Sequence, residues 1–361
     1  MEKNSDPLGN RVIEQIAVLL ENPLPESAIA EIREFHPYEL HPQKFDQRFS
    51  VFYQHFLDHS DDYSRALECL KDEHSRAYYE QLILLRILGP GFVLSPINNK
   101  AYWDQFRSIS AYRDPSFSHQ AENRLHGFLP LVQYILPSDH HRITLLTGEG
   151  DVTATYLGSQ YCFEREGVEI KPLADDIVID AGGYHADSAL KFADLVGADG
   201  FVYSFEIDED NLAFAYHNLQ LNLSLAPRVE MIQKALSNDS NKNLYMTGCG
   251  AGCKISDTMS EGARLIQSIT IDDFVTEQNL ARLNFIKMDI EGAELEALKG
   301  AVHSLIRFRP KLAICIYHNQ DDFFSIINYL HSLELGYEFY IDHYTAFYGD
   351  TLLYAHCKGQ N

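Results

Sequence analysis

Between Asp176 and Glu206 the chain runs through an apolar stretch, two glycines, an amphipathic stretch, a second apolar stretch and an acid, in that order. No other part of the sequence narrows the fold as much. The succession spells a strand, a crossover helix and a second strand parallel to the first. Ile177, Val178 and Ile179 are β-branched and uninterrupted, as in a strand buried on both faces. Asp180 ends that strand. Gly182 and Gly183 lack a Cβ, so the backbone can turn tightly there and come close to a ligand. Ala189, Leu190, Ala193 and Leu195 mark the apolar side of a helix, and Gly197 is its stop. Phe201 to Phe205 reads as the next strand. Glu206 then stands where a carboxylate accepts hydrogen bonds from both hydroxyls of a ribose.

A dinucleotide would use the same acid, but its turn carries a third glycine that brings a helix N-terminus against the pyrophosphate. Here the turn reads Asp180-Ala-Gly-Gly-Tyr-His-Ala-Asp187. The third glycine is missing, and Asp187 would face the phosphates. Two acids without a phosphate nest suit a cationic, phosphate-free nucleoside. The candidate binding residues are Asp180, Gly182, Gly183, Tyr184, Glu206, Ile207 and Asp289.

From residue 176 onward strand and helix signals alternate, with strands near 177–180, 201–205, 229–232, 284–288, 311–316, 337–341 and 351–355. This predicts an α/β fold, a parallel sheet with helices on both faces. Ligands in such sheets bind beyond the carboxyl ends of the strands, where Asp180, Glu206, Asp289 and His318 fall. Residues 1 to about 110 read as helices. Val12, Ile16, Ala17, Leu19 and Leu20 form one stripe, and Phe45, Phe49, Phe52 and Phe56 a second, read as packing. Tyr79, Leu82, Leu85 and Leu88 form a third, ended by Gly89-Pro90-Gly91. Residues 111–126 read as a polar loop. Arg142–Leu146 and Val152–Leu157 flank Gly148-Glu149-Gly150-Asp151 as a β-hairpin. The expected division is a helical domain 1–135, a hairpin connector 136–165 and an α/β domain 166–361 that folds alone.

Three further stretches resemble the FkbM family of S-adenosylmethionine-dependent methyltransferases. They are Ser268–Phe274, the segment Phe285-Ile-Lys-Met-Asp-Ile-Glu-Gly-Ala-Glu-Leu295 with its continuation to Ala301, and Arg309–His318. Asp350–Ala355 matches as well. The resemblance covers residues 160 to 356, with a weaker echo at Leu70–Arg76 and Leu84–Arg86. It implies a class I methyltransferase with a Rossmann-like seven-stranded sheet whose last strand is antiparallel, here preceded by a mostly helical N-terminal domain. It also implies S-adenosylmethionine as cofactor and hydroxyl groups of sugars or polyketides as acceptors. The chain departs from the family pattern at Ile207-Asp208, where proline usually follows the ribose acid, and at Ala181-Gly182-Gly183-Tyr184.

His318 is the candidate base, because imidazole titrates near neutrality and can take a hydroxyl proton as the methyl moves. His343 with Tyr344 is a second candidate. Asp289 is a candidate for catalysis or for holding the methionyl end, with a helix cap as the plain alternative. Glu291 and Glu294 belong to the first turns of the helix after it. Lys287 could pair with an acid. The stretch Asp289-Ile-Glu-Gly292 stands where amide and amine methyltransferases carry Asn/Asp-Pro-Pro-Tyr/Phe, which favours hydroxyl methylation. Two other readings stay open: a Mg²⁺-assisted transfer using Asp289 and a neighbouring acid, and a cofactor-binding assembly module without turnover.

The net charge of −23, from 52 acids against 29 bases, opposes a phosphate backbone and excludes nucleic acid as a substrate class. No signal peptide or membrane-length apolar run is visible. A cytoplasmic chain with free thiols is expected, acting on a small-molecule hydroxyl acceptor, with a homo-oligomer as an open alternative. No residue is assigned to a metal. Cys249 and Cys253 form the one close cysteine pair, at a spacing poor for zinc.

Overall fold

The computed structural model describes residues 7–117, 124–125, 129–248 and 254–358. Seven strands form its main sheet: β1 (Ile177–Ala181), β2 (Phe201–Phe205), β3 (Val229–Ile232), β4 (Phe285–Met288), β5 (Lys311–Cys315), β6 (Tyr337–His343) and β7 (Thr351–Cys357). Their order across the sheet is β6-β7-β5-β4-β1-β2-β3. The pairings β4–β5, β4–β1, β1–β2 and β2–β3 are parallel, and β6–β7 is antiparallel. All seven strands fall within a few residues of the positions read from the sequence. The architecture is the class I methyltransferase α/β fold.

The chain divides into two compact units, Gln105–Ile314 and Met1–Asp104 together with Cys315–Asn361. These limits lie away from the 165/166 boundary suggested by the composition change.

In the 105–314 unit the core is β1, β4 and the helix Asp187–Val196. Val178, Ile179, Phe285 and Ile286 are fully buried, as are Ala189, Leu190, Phe192 and Val196. That burial explains the uninterrupted apolar runs of the strands. The helix ends at Gly197, which has φ +68°. Asp208 starts the helix Glu209–Leu221 by accepting from the Asp210 and Asn211 amides. A smaller sheet, not read from the sequence, places Arg264–Ile269 between Ala235–Leu236 and Asn243–Thr247, with Lys254–Ser256 at its edge.

The hairpin expected across residues 148–151 does not form. Arg142–Thr147 pairs antiparallel with Val132–Pro137, upstream. Val152–Leu157 is a π-helical turn, not a strand. The Asp151 carboxylate accepts from the Gly148 amide and the Thr147 hydroxyl, at 3.0 and 2.6 Å. That cap starts a helical turn and overrides the β-branched composition of Val152, Thr153 and Thr155. Of the expected loop at 111–126, residues 111 and 112 complete the 3₁₀ turn Ile109–Tyr112, while 118–123 and 126 lie outside the described residues, as do Cys249 and Cys253.

In the other unit, helices Pro7–Glu21, Pro42–Asp58 and Glu73–Leu88 carry the expected stripes, with Ala17 and Leu20 of the first exposed, and Ser60–Cys69 forms a further helix. Leu82, Leu85 and Leu88 are buried, and Gly89 ends their helix at φ +78°. Tyr79 stacks on Phe323 with centroids 4.6 Å apart, and its hydroxyl donates to the Phe323 carbonyl. The Ser75 hydroxyl accepts from the Ile341 amide of β6 at 2.9 Å. Among the described residues no helix is long and apolar enough to cross a membrane.

Candidate functional site

Within the 105–314 unit, the carboxyl ends of β1, β2 and β4 bring together Asp180, Gly182, Gly183, Tyr184, Glu206, Ile207 and Asp289. The two glycines turn out to be needed for the protein's own backbone. Gly182 has φ +86°, and a Cβ there would lie 1.8 Å from the Asp289 carbonyl oxygen. A Cβ on Gly183 would lie 2.2 Å from the Ser204 hydroxyl. The turn is thus wedged between the ends of β2 and β4.

Asp180 is fully buried and takes no part in a surface. It pairs with Lys287 at 3.1 Å and accepts from the Ser204 and Ser188 hydroxyls. Register explains the pair, because Lys287 of β4 is the direct neighbour of Asp180 on β1. The Lys287 ammonium also donates to the Gly182 carbonyl. Asp180 and Lys287 therefore shape the turn rather than face a ligand.

Glu206 lies just past β2 and is 8% exposed. One carboxylate oxygen accepts from the Ile207 and Asp208 amides at 2.7 Å, the other from the Tyr184 amide at 2.9 Å. Burial nevertheless raises its pKa, against the pull of those amides. The Asn211 side chain also donates to it, so three backbone amides and a side-chain amide fix its direction.

Asp289 follows β4. It does not cap the next helix, which begins at Glu294 after a turn that contains Glu291 at φ +56°. Its carboxylate instead accepts from the Tyr161 hydroxyl at 2.7 Å. Glu294 is buried and accepts from the Ile290 amide, holding that turn closed. Tyr161 was not singled out in the sequence. It stands 128 residues from its partner and adopts φ +71°, and no local pattern reveals either fact.

Asp187 faces inward and accepts from the Thr155 hydroxyl at 2.9 Å. Burial, with the Asp151 charge beside it, pushes its carboxyl up to about 7, against the pull of Lys287 and Thr155. Tyr184 stacks on His185 at 3.7 Å. Burial raises its pKa strongly, and Asp151, Asp187, Glu206 and Glu291 add to the rise. Acidic groups thus surround the turn, while Lys287, a cation in contact with it, is committed to Asp180 and a carbonyl. The donor set suits a cationic nucleoside with hydroxyls to donate and repels a pyrophosphate.

His318 belongs to the other unit, three residues past β5, half-buried with its ring 4.1 Å from that of Tyr317. His343 is in that unit too, and it is not a base. Its Nε2–H donates to the Phe347 carbonyl at 2.6 Å, so Nδ1 accepts from the Thr351 hydroxyl at 2.9 Å. Burial lowers its pKa to about 4. The Tyr344 hydroxyl is bonded to that of Tyr354 at 2.7 Å.

Residues 180–339 match the family model of the methyltransferase FkbM domain. A hexuronic acid methyltransferase, AglP of Haloferax volcanii, is 28% identical over 165 residues, which cover 45% of this chain and 61% of that protein. The crystal structure of methyltransferase FkbM from Methylobacillus flagellatus KT is similar with a TM-score of 0.52 at 18% identity, over 84% of this chain and 60% of that one. The chain therefore spans about three-fifths of the length of each.

Proposed function

Residues 180–339 match the FkbM methyltransferase domain, and from that premise we propose that this chain transfers a methyl group from S-adenosylmethionine to a hydroxyl of a sugar, polyketide or similar small molecule. The observation that carries the reading is Glu206, a buried carboxylate just past the second strand, aimed by three backbone amides and the Asn211 side chain. A ribose diol is the donor that such a carboxylate takes at the end of a second parallel strand. Ile207 beside it offers an apolar side chain to a flat base. The acids around Tyr184 favour a ligand with positive charge, and S-adenosylmethionine carries a sulfonium and an ammonium.

That cofactor supplies a methyl group already activated for transfer. What remains for the protein is to orient the acceptor and to remove its proton. Asp289, fixed by Tyr161, is positioned to accept a hydrogen bond from the cofactor's amino-acid part or the acceptor. His318 is the proposed base on the strength of its place in the Tyr317-His318 motif after β5. The relation to a hexuronic acid methyltransferase supports a sugar over the other acceptors.

Calorimetric titration of Glu206→Ala with S-adenosylmethionine tests the cofactor reading. Losing two charge-assisted hydrogen bonds should weaken binding by roughly 2–4 kcal/mol, with the melting curve recorded to confirm folding. An affinity within twofold of wild type would remove Glu206 from the site.

A further inference from the structure

We infer that His55, His59 and Asp321 form a binding site for a divalent transition cation of the zinc type. All three lie in the unit of residues 1–104 and 315–361, and the function proposed above does not depend on them. Each offers one ligand atom, and these atoms lie within 4.8 Å of one another. A tetrahedral zinc with bonds of about 2.0–2.1 Å spaces its ligands about 3.4 Å apart, so small rotamer changes close the set.

The spacing comes from the helix. His55 is in the last turn of Pro42–Asp58 and His59 follows four residues later, so both imidazoles emerge on one face. Their rings are 4.7 Å apart, and both stack against Phe324, at 5.9 and 5.3 Å. Asp321 arrives from 262 residues further along, just before the helix Asp322–Ser332. It stands at an N-cap position, where aspartate usually bonds the helix's own amides, yet it makes no capping bond. Its carboxylate is instead 2.6 Å from His55 Nε2.

The second ring nitrogens have polar partners that can take a proton when a metal occupies the first. His59 Nδ1 faces the Asp62 carboxylate at 3.3 Å, which keeps the proton there and leaves Nε2 to donate its lone pair. His55 Nδ1 faces the Tyr63 hydroxyl at 3.3 Å. Two imidazoles and one carboxylate, with water at the open position, match the ligand preference of zinc. Asp321 is 63% exposed in its side chain and His59 40%, so an ion reaches the site from solvent. Bound there, it would tie the end of the helix Pro42–Asp58 to the start of the helix Asp322–Ser332.

The test uses the untagged full chain. Zn²⁺ is titrated in competition with a chromophoric chelator, and melting is followed with and without the ion. Wild type should bind one ion more tightly than any other and melt at a higher temperature in its presence. His59→Gln and Asp321→Asn should each weaken that site at least tenfold and abolish the shift. Asp62→Asn, which leaves the ligands in place, should weaken it roughly 10- to 100-fold. Far-UV circular dichroism checks each variant, and Asp321→Asn, at an exposed position, serves if the histidine variants do not fold. Equal zinc affinity within twofold in wild type and Asp321→Asn, or no uptake by wild type at micromolar zinc, would overturn the assignment.

Discussion

The two histidines weighed as bases differ in what holds them. His343 has both ring nitrogens bonded inside the protein, and burial keeps it neutral with a pKa near 4 instead of 6.5. Because the folded value lies below the unfolded one, the unfolded chain takes up the proton first as the solution is acidified. The stability at stake is full above pH 6.5 and is lost as the pH falls toward 4. Between pH 7.5 and 5 it amounts to about 2 kcal/mol. Urea unfolding at those two pH values should show that loss in wild type, and a smaller one in His343→Asn. His318→Gln should instead leave cofactor affinity and melting nearly unchanged while kcat falls at least 10²-fold, since removing a general base typically costs about 10²–10⁴ in rate. A lowered melting temperature with intact turnover per folded molecule would make His318 structural. The sequence distinguishes these residues only by motif. That His343 is locked depends on Phe347 and Thr351 folding back on it, which no local pattern announces. The pair His55 and His59 was hidden in the same way. Its spacing is visible, but it sits within a phenylalanine stripe, and the carboxylate that completes it comes from far along the chain.

Among the elements, β1 and β4 are joined by more than their ladder. The Asp180–Lys287 pair is buried between them, at 0% and 2% side-chain exposure. Removing one partner of such a pair strands the other charge, which costs about 3–5 kcal/mol. Lys287→Met should therefore unfold at markedly lower urea. Adding Asp180→Asn should recover part of the loss, because the two substitutions share one interaction. Additive losses would show that the pair is not coupled. The strands of the main sheet were legible because central strands buried on both faces read as continuous apolar runs. Val152–Leu157 was not, because its β-branched residues promise a strand and only the Asp151 cap decides otherwise. The acidic turn was legible in part. Glycines, Glu206 and Asp289 are visible as a pattern, whereas Tyr161 and Thr155 come from a segment whose path the sequence leaves open.

For the whole molecule, the division of the chain bears on any attempt to shorten it. Composition alone marks 166–361 as self-sufficient. The structure, however, groups 315–361 with the N-terminal helices, where Tyr79 covers Phe323 and Ser75 binds the Ile341 amide. A 166–361 fragment would lose that cover from Phe323, Ile327 and Phe339, all buried in the full chain. It should express insolubly or unfold without cooperativity, whereas the full chain unfolds cooperatively. A soluble, cooperative fragment that binds S-adenosylmethionine would show that the N-terminal helices are dispensable. At the other end of design lies the contact of Gly182 with the Asp289 carbonyl. The gap between those two strand ends is set by main chain meeting main chain, with no side chain acting as a spacer. Substitutions of side chains that line the site can then alter what it accepts without letting its frame drift. A lineage built on such a frame can change customers while keeping its cofactor, and a protein engineer should randomise those positions and leave the two glycines alone.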